Sequence, residues 1–415
     1  MILALGALLA VVLIAVGGVL LLSRDPDPPE LRTSGLTVEG MLDSIGVNVH
    51  FSYVDTAYAR RNEALALARE MGIRHLRDAV PGVAVPLQSA LPQAARAGFD
   101  MTLITDVNRD PDADVAESVR LLDGHVAAFE APNELDNSGD PDWASKLSSF
   151  VPRLDKAVRT RAPGVPLIGA SLLDPSSRVQ YSSALPGAFN GHPYAGGAPP
   201  EAALAVAVEE GRTATSKEPT YFTETGYHNA LAAKAGQPPV SEQAAAVYLP
   251  RALVDAYGAG VRRTFIYELL DEKPDPGAID PEQHFGLLRA DLTPKPAFTA
   301  IKNLTTALRT SPGAGNGPLH WDLEADPSAE VQQLMLTRRD GSRVLALWRP
   351  VSVWDEGARR PLDPGSERVE VAFDRAARDV TVWRPSVSSG PVLKRDSAKR
   401  LSLDLAGDLV LVSLR

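Results

Sequence analysis

Short apolar segments alternate with helical patterns between residues 44 and 308, and this alternation limits the chain to few folds. Each segment is rich in Val, Ile, Leu, Phe, Ala or Thr, as expected for strands that are buried on both faces. The eight predicted strands cover residues 45–51, 73–77, 100–105, 126–131, 166–171, 188–192, 220–223 and 263–268. Eight strand–helix units fit the roughly 250 residues of a (β/α)8 barrel. The alternative, a doubly wound open sheet, lacks a GxGxxG sequence after any strand. We therefore predict a barrel over residues 41–310.

The pattern changes after the segment SPGAG at residues 311–315. Beyond it, apolar and polar residues alternate with a period of two, which is typical of strands with one buried face. Asp340-Gly341 lies between two such stretches and is a strong signal for a two-residue hairpin turn. Residues 311–415 are therefore predicted to form a small C-terminal antiparallel β-sandwich domain.

The N-terminal 22 residues carry no charged side chain. About 20 apolar residues are enough to cross a bilayer as a helix. Because a basic start and a clear cleavage site are missing, we predict an uncleaved transmembrane anchor at residues 1–23 in preference to a removed signal peptide. The Pro-rich acidic stretch at 24–40 is predicted to be a linker. The barrel is then expected outside the cytoplasm on the cell membrane, or secreted if the segment is cleaved.

Composition excludes several classes of function. The chain has no cysteine, which rules out disulfides, thiolate metal sites and Cys nucleophiles. Its net charge is −10 and it has no basic block, which argues against nucleic acid as a partner. The seven histidines show neither HxH nor HExxH spacing, so we expect no metal and no cofactor.

Two glutamates lie where predicted strands end. Glu134 follows the fourth strand and Glu224 ends the seventh, so both side chains are expected at the carboxyl face of the barrel, where barrel enzymes carry their reactive groups. A single glutamate at such a place is more often an ion-pair partner. Two opposed carboxylates are what cleavage of a glycosidic bond requires, because one protonates the leaving oxygen and the other attacks or activates water. Asn133 is placed to bind a sugar hydroxyl.

The chain resembles the clan A glycoside hydrolases, which are retaining (β/α)8 enzymes, and is most similar to families 39 and 5. The resemblance rests on these positions: Asn133-Glu134 after strand four, Glu224 after strand seven, Arg77 after strand two, and His192-Pro193-Tyr194 after strand six. The resemblance implies that Glu134 is the acid/base and Glu224 the nucleophile. It also implies that Arg77, His192 and Tyr194 line the site and that the β domain matches the architecture of family 39.

Other candidates for binding substrate lie at the remaining strand ends. Asn48 and His50 follow strand one, although His50 is as readily a structural histidine. Tyr267 and Glu268 end strand eight, where the clan commonly presents a tryptophan.

Three functions remain open from the sequence. The leading prediction is a retaining glycosidase that hydrolyses an oligo- or polysaccharide through a two-glutamate double displacement. The alternatives are a non-catalytic glycan-binding protein on the same scaffold and a transglycosylase that remodels a cell-envelope glycan. In each case the predicted partners are a carbohydrate, which binds at the barrel, and the membrane, which the N-terminal segment contacts.

Overall fold

The computed structural model describes residues 35–214, 219–315 and 317–415. Eight parallel strands form its first sheet, each near a predicted segment: β1 Ile45–Asn48, β2 His75–Ala79, β3 Asp100–Ile104, β4 Val126–Glu130, β5 Leu167–Ile168, β6 Asn190–Gly191, β7 Tyr221–Thr225 and β8 Arg263–Ile266. Their order in the sheet is β5-β4-β3-β2-β1-β8-β7-β6. Consecutive strands are thus neighbours, with the single step from β1 to β8, as in a barrel.

One helix follows each strand of this sheet. A short helix, α1 Val38–Asp43, precedes β1, and the helices that alternate with the strands are α2 Arg61–Glu70, α3 Leu87–Arg96, α4 Pro111–Leu122, α5 Trp143–Arg161, α6 Pro175–Ala184, α7 Glu201–Ala214, α8 Glu242–Gly258 and α9 Pro296–Arg309. This order confirms the predicted (β/α)8 architecture. Since α1 starts at Val38, the predicted linker at 24–40 extends too far into the folded chain.

The barrel closes between β5 and the residues before β6. The amide of Gly169 donates to the carbonyl of Ala188 at 2.8 Å, and the amide of Ala188 donates to the carbonyl of Leu167 at 2.9 Å. The two chains approach so closely that a Cβ on Gly169 would lie 2.9 Å from the Ala188 oxygen. Gly187 has a φ of +116°, which favours glycine. These two glycines therefore permit the closing contact.

The C-terminal region is an antiparallel β domain, as predicted. Its strands are β9 Trp321–Glu324, β10 Gln332–Thr337, β11 Arg343–Trp348, β12 Trp354–Asp355, β13 Arg360–Pro361, β14 Glu367–Trp383, β15 Leu393–Leu405 and β16 Val410–Leu414. Six of them form one sheet in the order β10-β11-β16-β14-β15, with β9 also paired to β14. Hydrogen bonds thus connect these six strands into one sheet, whereas the two layers of a sandwich are usually separate sheets, and β12 and β13 form a further two-stranded sheet.

The length of β14 explains this difference. Its first half pairs with β9 and its last residues pair with β16, while β15 pairs with it throughout and a register shift lies between Ala372 and Ala377. One strand thus belongs to both halves of the sheet. Buried side chains from both halves, such as Val371 and Val412, share one apolar core.

Buried arginines attach the β domain to the barrel. Arg251 of α8 is fully buried and donates to the carbonyls of Val351 and Gly407, both at 2.9 Å. Arg338 of the β domain donates to the carbonyl of Leu308 at 3.0 Å. Because carbonyl acceptors in buried positions must be satisfied, these bonds fix the two parts to each other.

The predicted anchor at 1–23 lies outside the described residues. Over the three ranges that the structure does describe, no helix combines the length and apolar character needed to traverse a bilayer.

Candidate active site

Polar side chains gather at the carboxyl ends of the barrel strands. Asn48 ends β1, Arg77 lies in β2, Glu134 follows β4, His192 directly follows β6 and Glu224 lies in β7. Since all eight strands are parallel, these ends meet at one mouth of the barrel. The site predicted from the sequence is therefore assembled at one place by the fold.

Arg77 holds this group together. It is only 2% exposed, and each of its five N–H groups has an acceptor. Nε and Nη2 bind the two carboxylate oxygens of Glu130 at 2.7 and 2.8 Å. Nη1 binds Glu224 at 2.7 Å and Asn48 at 2.8 Å, and Nη2 also binds the Oδ1 of Asn133 at 2.7 Å. The guanidinium is thus fixed in one orientation and keeps the Glu224 carboxylate in place.

Glu224 is stabilised as an anion. Arg77 donates to its Oε1, and the Tyr194 hydroxyl donates to its Oε2 at 2.7 Å. Burial alone would raise the pKa of Glu224, but the nearby charges of His192 and Arg77 and the two hydrogen bonds outweigh it and lower this pKa from 4.5 to about 2. Arg77 and the Tyr194 hydroxyl thus both favour the ionised form of this carboxyl.

Glu134 has a different environment. Its backbone is left-handed, with φ 43°, and its amide donates to the Ser171 carbonyl at 2.9 Å. Its Oε1 lies 2.7 Å from Nδ1 of His192, whose Nε2 lies 2.9 Å from the Thr223 hydroxyl. Two heteroatoms 2.7 Å apart share a proton, so one proton lies between the Glu134 carboxyl and the imidazole.

The two predicted catalytic carboxyls are close neighbours. One oxygen of Glu134, one oxygen of Glu224 and a ring nitrogen of His192 all lie within 4.8 Å of one another. The carboxyl groups of retaining glycosidases are about 5–5.5 Å apart, and those of inverting enzymes about 6.5–9.5 Å. The close approach of one oxygen from each carboxyl is compatible with the retaining arrangement.

Tyr267 and Glu268 line the side of the mouth next to β8 and β1. The Tyr267 ring packs edge-on against Tyr194, with ring centres 6.5 Å apart, and against His50 at 5.6 Å. Glu268 is fully buried, its Oε2 accepts from the Tyr58 hydroxyl at 2.7 Å and lies 3.4 Å from Nε2 of His50. Burial and neighbouring acids raise the pKa of Glu268 well above its ordinary value.

All ten predicted site residues thus lie in one connected group, but their contacts differ in kind. Both N–H bonds of the Asn48 amide go to the carbonyls of Thr223 and Ile266, and its oxygen accepts from Arg77. Asn48 therefore positions Arg77. Burial lowers the pKa of His50 to about 4, so this ring is neutral at pH 7.

Sequence reasoning missed the buried partners of these residues. Glu130 is fully buried, binds Arg77 and accepts from the Asn190 amide at 3.0 Å. Thr223 and Ser171 bind His192 and Asn133. A glutamate within an otherwise apolar strand is the signal by which Glu130 could have been found.

Two sets of residues bring three metal-ligating atoms together among the described residues: Glu134, His192 and Glu224, and His50, Glu268 and Glu272. In the first set Glu224 is already bound by Arg77 and Tyr194, and Glu134 by His192. That set is therefore satisfied by protein groups.

The fold is similar to those of glycoside hydrolases. Models of protein families and curated protein sequences give no match. Among solved structures, a family 39 glycoside hydrolase from Bacteroides cellulosilyticus WH2 superposes with a TM-score of 0.62 at 14% identity, over 92% of this chain and 83% of that chain. A monomeric β-xylosidase from Caulobacter crescentus CB15 gives a TM-score of 0.57 at 14% identity, over 92% and 98%.

A glucosidase from Croceicoccus marinus gives a TM-score of 0.52 at 13% identity, over 84% of this chain and 91% of that chain. These likenesses extend over the barrel and most of the β domain. The chain therefore has the fold of the family 39 glycoside hydrolases.

Proposed function

We propose that this protein is a retaining glycosidase, with Glu224 as the nucleophile and Glu134 as the acid/base. The observation that carries the proposal is the pair of carboxyls within 4.8 Å, one held as an anion by Arg77 and Tyr194 and the other sharing a proton with His192.

In the first step an ionised oxygen of Glu224 attacks the anomeric carbon. The bond from that carbon to the leaving oxygen breaks, and Glu134 gives its proton to the departing alcohol. A glycosyl ester of Glu224 and a free alcohol result. Asn133 stands beside Glu134, and its Oδ1 is held by Arg77 and Ser171, so its amide N–H groups are oriented for a sugar hydroxyl.

In the second step Glu134, now ionised, removes a proton from water. The water oxygen attacks the anomeric carbon, the ester bond breaks, and the Glu224 carboxylate is restored with net retention of configuration. If a sugar hydroxyl replaces water here, the same residues catalyse transglycosylation, so the identity of the products separates these two activities.

The substrates of similar folds suggest the first compounds to test. Because the names of two neighbours are β-xylosidase and glucosidase, we propose aryl β-xylosides and β-glucosides as initial substrates. We expect the wild-type protein to release the aryl alcohol and Glu224→Gln to lose roughly 10⁴-fold or more in kcat, as for loss of a nucleophile.

Glu134→Gln supplies the matched test of the second carboxyl. It should lose about 10²–10⁴-fold on substrates with poor leaving groups and much less on activated aryl glycosides, because those need no protonation. Equal turnover by the wild type and Glu224→Gln would contradict the proposal. Carbohydrate binding with no turnover of any glycoside would favour the non-catalytic alternative.

We also propose that the apolar segment at 1–23 anchors the protein, with the barrel outside the cytoplasm. The 22 uncharged residues support this location. Added protease should degrade the barrel on intact cells, whereas protection until lysis would contradict it.

A further inference from the structure

A second group of carboxylates lies beside the catalytic pair, and the mechanism above does not use it. We call it the acidic wall: Glu268 at the end of the β8 segment, with Glu272 and Glu282 in the loop that follows. Glu268 is fully buried and Glu272 is partly buried. One ligating atom each of His50, Glu268 and Glu272 lies within 4.8 Å of the others. Tyr267 connects the wall to the site, since its hydroxyl donates to Glu282 at 3.3 Å.

The protein supplies no cation to this wall. Among the described residues, none of its three carboxylates forms an ion pair with a lysine or arginine. The lysines of this region are engaged elsewhere, since Lys273 binds Asp55 and Lys295 binds Asp271, each at 2.7 Å. Burial and the nearby Glu282 raise the pKa of Glu272 to about 6, and desolvation together with Asp280 and the two site glutamates raises the pKa of Glu282. Like charges gathered without a counter-ion are electrostatically unfavourable.

Two buried polar atoms of this region lack a hydrogen-bond partner in the described structure. They are Oε1 of Glu268 and Nε2 of His50. Buried polar atoms in native proteins are nearly always paired, so this orphaned carboxylate oxygen indicates a donor that comes from outside the chain. This observation is independent of the charge of the wall.

Aromatic rings form the remainder of this side. His50 stacks on Tyr53 with ring centres 4.8 Å apart and planes within 8°. Tyr267 and Tyr58 pack edge-on to the same imidazole. Carboxylates combined with aromatic faces are the groups that bind an ammonium ion, through charge-assisted hydrogen bonds and cation–π attraction.

We infer that the acidic wall binds the protonated amino group of an amino sugar, so that the substrates are glycans with non-acetylated hexosamine. This inference rests on the proposed glycosidase function and names its substrate class. An ammonium group supplies both the missing positive charge and the donors that Glu268 lacks. An N-acetyl group supplies no charge, and a uronic acid would add a further negative one.

The position of the wall places the amino group within the reacting part of the substrate. Tyr194 bonds the nucleophile Glu224 and packs against Tyr267, which bonds Glu282. Tyr194 and Tyr267 therefore connect Glu224 to the acidic wall.

The test measures binding without turnover, so that it does not depend on catalysis. Titration calorimetry on Glu224→Gln, in EDTA at about pH 6 where such amines are protonated, compares three β-1,4-linked tetramers: glucosamine, N-acetylglucosamine and glucose. We expect the glucosamine tetramer to bind at least about tenfold more tightly than either of the others. Equal affinity for the three, or no binding of the glucosamine tetramer, would overturn the inference.

Glutamine substitutions, which remove the charge of a glutamate and keep its side-chain length, show which residues cause the preference for the free amine. Adding Glu272→Gln to Glu224→Gln should reduce the preference for the free amine to within about threefold. Adding Glu324→Gln, which removes one charge from β9 of the β domain, should leave the preference intact. An unchanged preference in the Glu272→Gln protein, or an equal loss in the Glu324→Gln protein, would contradict a specific role of the wall.

Three further results distinguish an ammonium site from a metal site and from the glycosidase activity itself. Hydrolysis of neutral aryl glycosides by the wild type, together with no preference for the free amine, would overturn the wall and leave the glycosidase standing. A stoichiometric divalent metal in the purified protein that is lost in Glu268→Gln would show that the wall is a metal site instead. Absence of hydrolysis together with tight binding of the free amine would support the wall while contradicting the enzyme.

Discussion

Two groups of carboxylates, each with a fully buried member, lie at the same mouth of the barrel and differ in how their charge is balanced. The first, the Arg77 cluster, contains Arg77, Glu130 and Glu224, and the guanidinium satisfies both acids. The second is the acidic wall, in which Glu268 is as buried as Glu130 but accepts only from a tyrosine hydroxyl. Glu130 and Glu268 are equally buried, so the presence or absence of a neighbouring cation decides whether the carboxylate charge is balanced.

The consequence is that the pKa values of the two groups shift in opposite directions. The pKa of Glu224 falls to about 2, while the pKa of Glu268 rises well above its ordinary value. Arg77 thus supplies a cation beside the carboxylate that we propose as the nucleophile, and the acidic wall has no such cation beside it in the described residues. The following predictions change the charge balance of each group.

Removing the built-in cation should have the largest effect on stability. Arg77→Met leaves Glu130 and Glu224 buried without a cation, and we expect the free energy of unfolding to fall by about 3–5 kcal/mol. Urea denaturation at pH 7 measures this change. Arg159→Met is the control, because its ion pair with Asp155 is exposed and should contribute less than about 0.5 kcal/mol. A loss below about 1 kcal/mol in Arg77→Met would contradict the role of the cluster.

Neutralising one fully buried glutamate in each group should give changes of opposite sign. Glu130→Gln weakens two charged hydrogen bonds from Arg77 and should lower the free energy of unfolding by about 1.5–3 kcal/mol. Glu268→Gln should raise it at pH 7, because the unfolded chain ionises Glu268 more readily than the folded protein does. The increase should vanish near pH 4. If both variants changed the free energy of unfolding in the same direction, the Arg77 cluster and the acidic wall would not differ in how their charge is balanced.

Removing the hydroxyl group that donates to Glu224 should change the pKa of this carboxyl. Tyr194→Phe deletes the donor to Oε2 of Glu224 while Arg77 remains, so we expect the pKa of Glu224 to rise by about one unit. NMR titration of labelled glutamate carboxyls, assigned with Glu224→Gln, reads this directly. The acid limb of kcat/KM should move to higher pH in parallel, and an unchanged titration would exclude the hydroxyl as a stabiliser of the anion.

Neutralising the partly buried glutamate of the wall should have the smallest effect. The folded-state pKa of Glu272 is about 6, above its ordinary 4.5, so stability is lost as pH rises through this interval. Glu272→Gln should remove that loss and raise the free energy of unfolding at pH 8 by at most about 1 kcal/mol after solvent screening. Urea denaturation of the wild type and of Glu272→Gln at pH 4 and pH 8 measures this change. An equal dependence of the free energy of unfolding on pH in the two proteins would contradict the prediction.

The fold was largely predictable because its signals are local. Eight apolar segments and the helices between them predicted the barrel, and each strand lies near its segment. The number of sheets in the β domain was not predictable, since the pairing of β14 with β9 on one half and β16 on the other joins residues far apart in sequence.

The site was predictable in its members and less so in their roles. Glu134, Glu224 and Arg77 stand at strand ends, where position in the sequence predicts the barrel mouth. Asn48 was expected to bind substrate, but its amide is bonded to backbone carbonyls and Arg77. Glu130 has the same residue type as Glu268, and only its distance from Arg77 separates them.

The sequence by itself determined which residues reach the mouth of the barrel, because strand periodicity and chain order fix what lies at each strand end. Tertiary structure alone decided which carboxyl is charged. That property depends on Coulomb energy and desolvation, which vary with distances between strands that the sequence does not encode locally. Three N–H groups of one arginine, which bind Glu130 and Glu224 and not Glu268, make that difference.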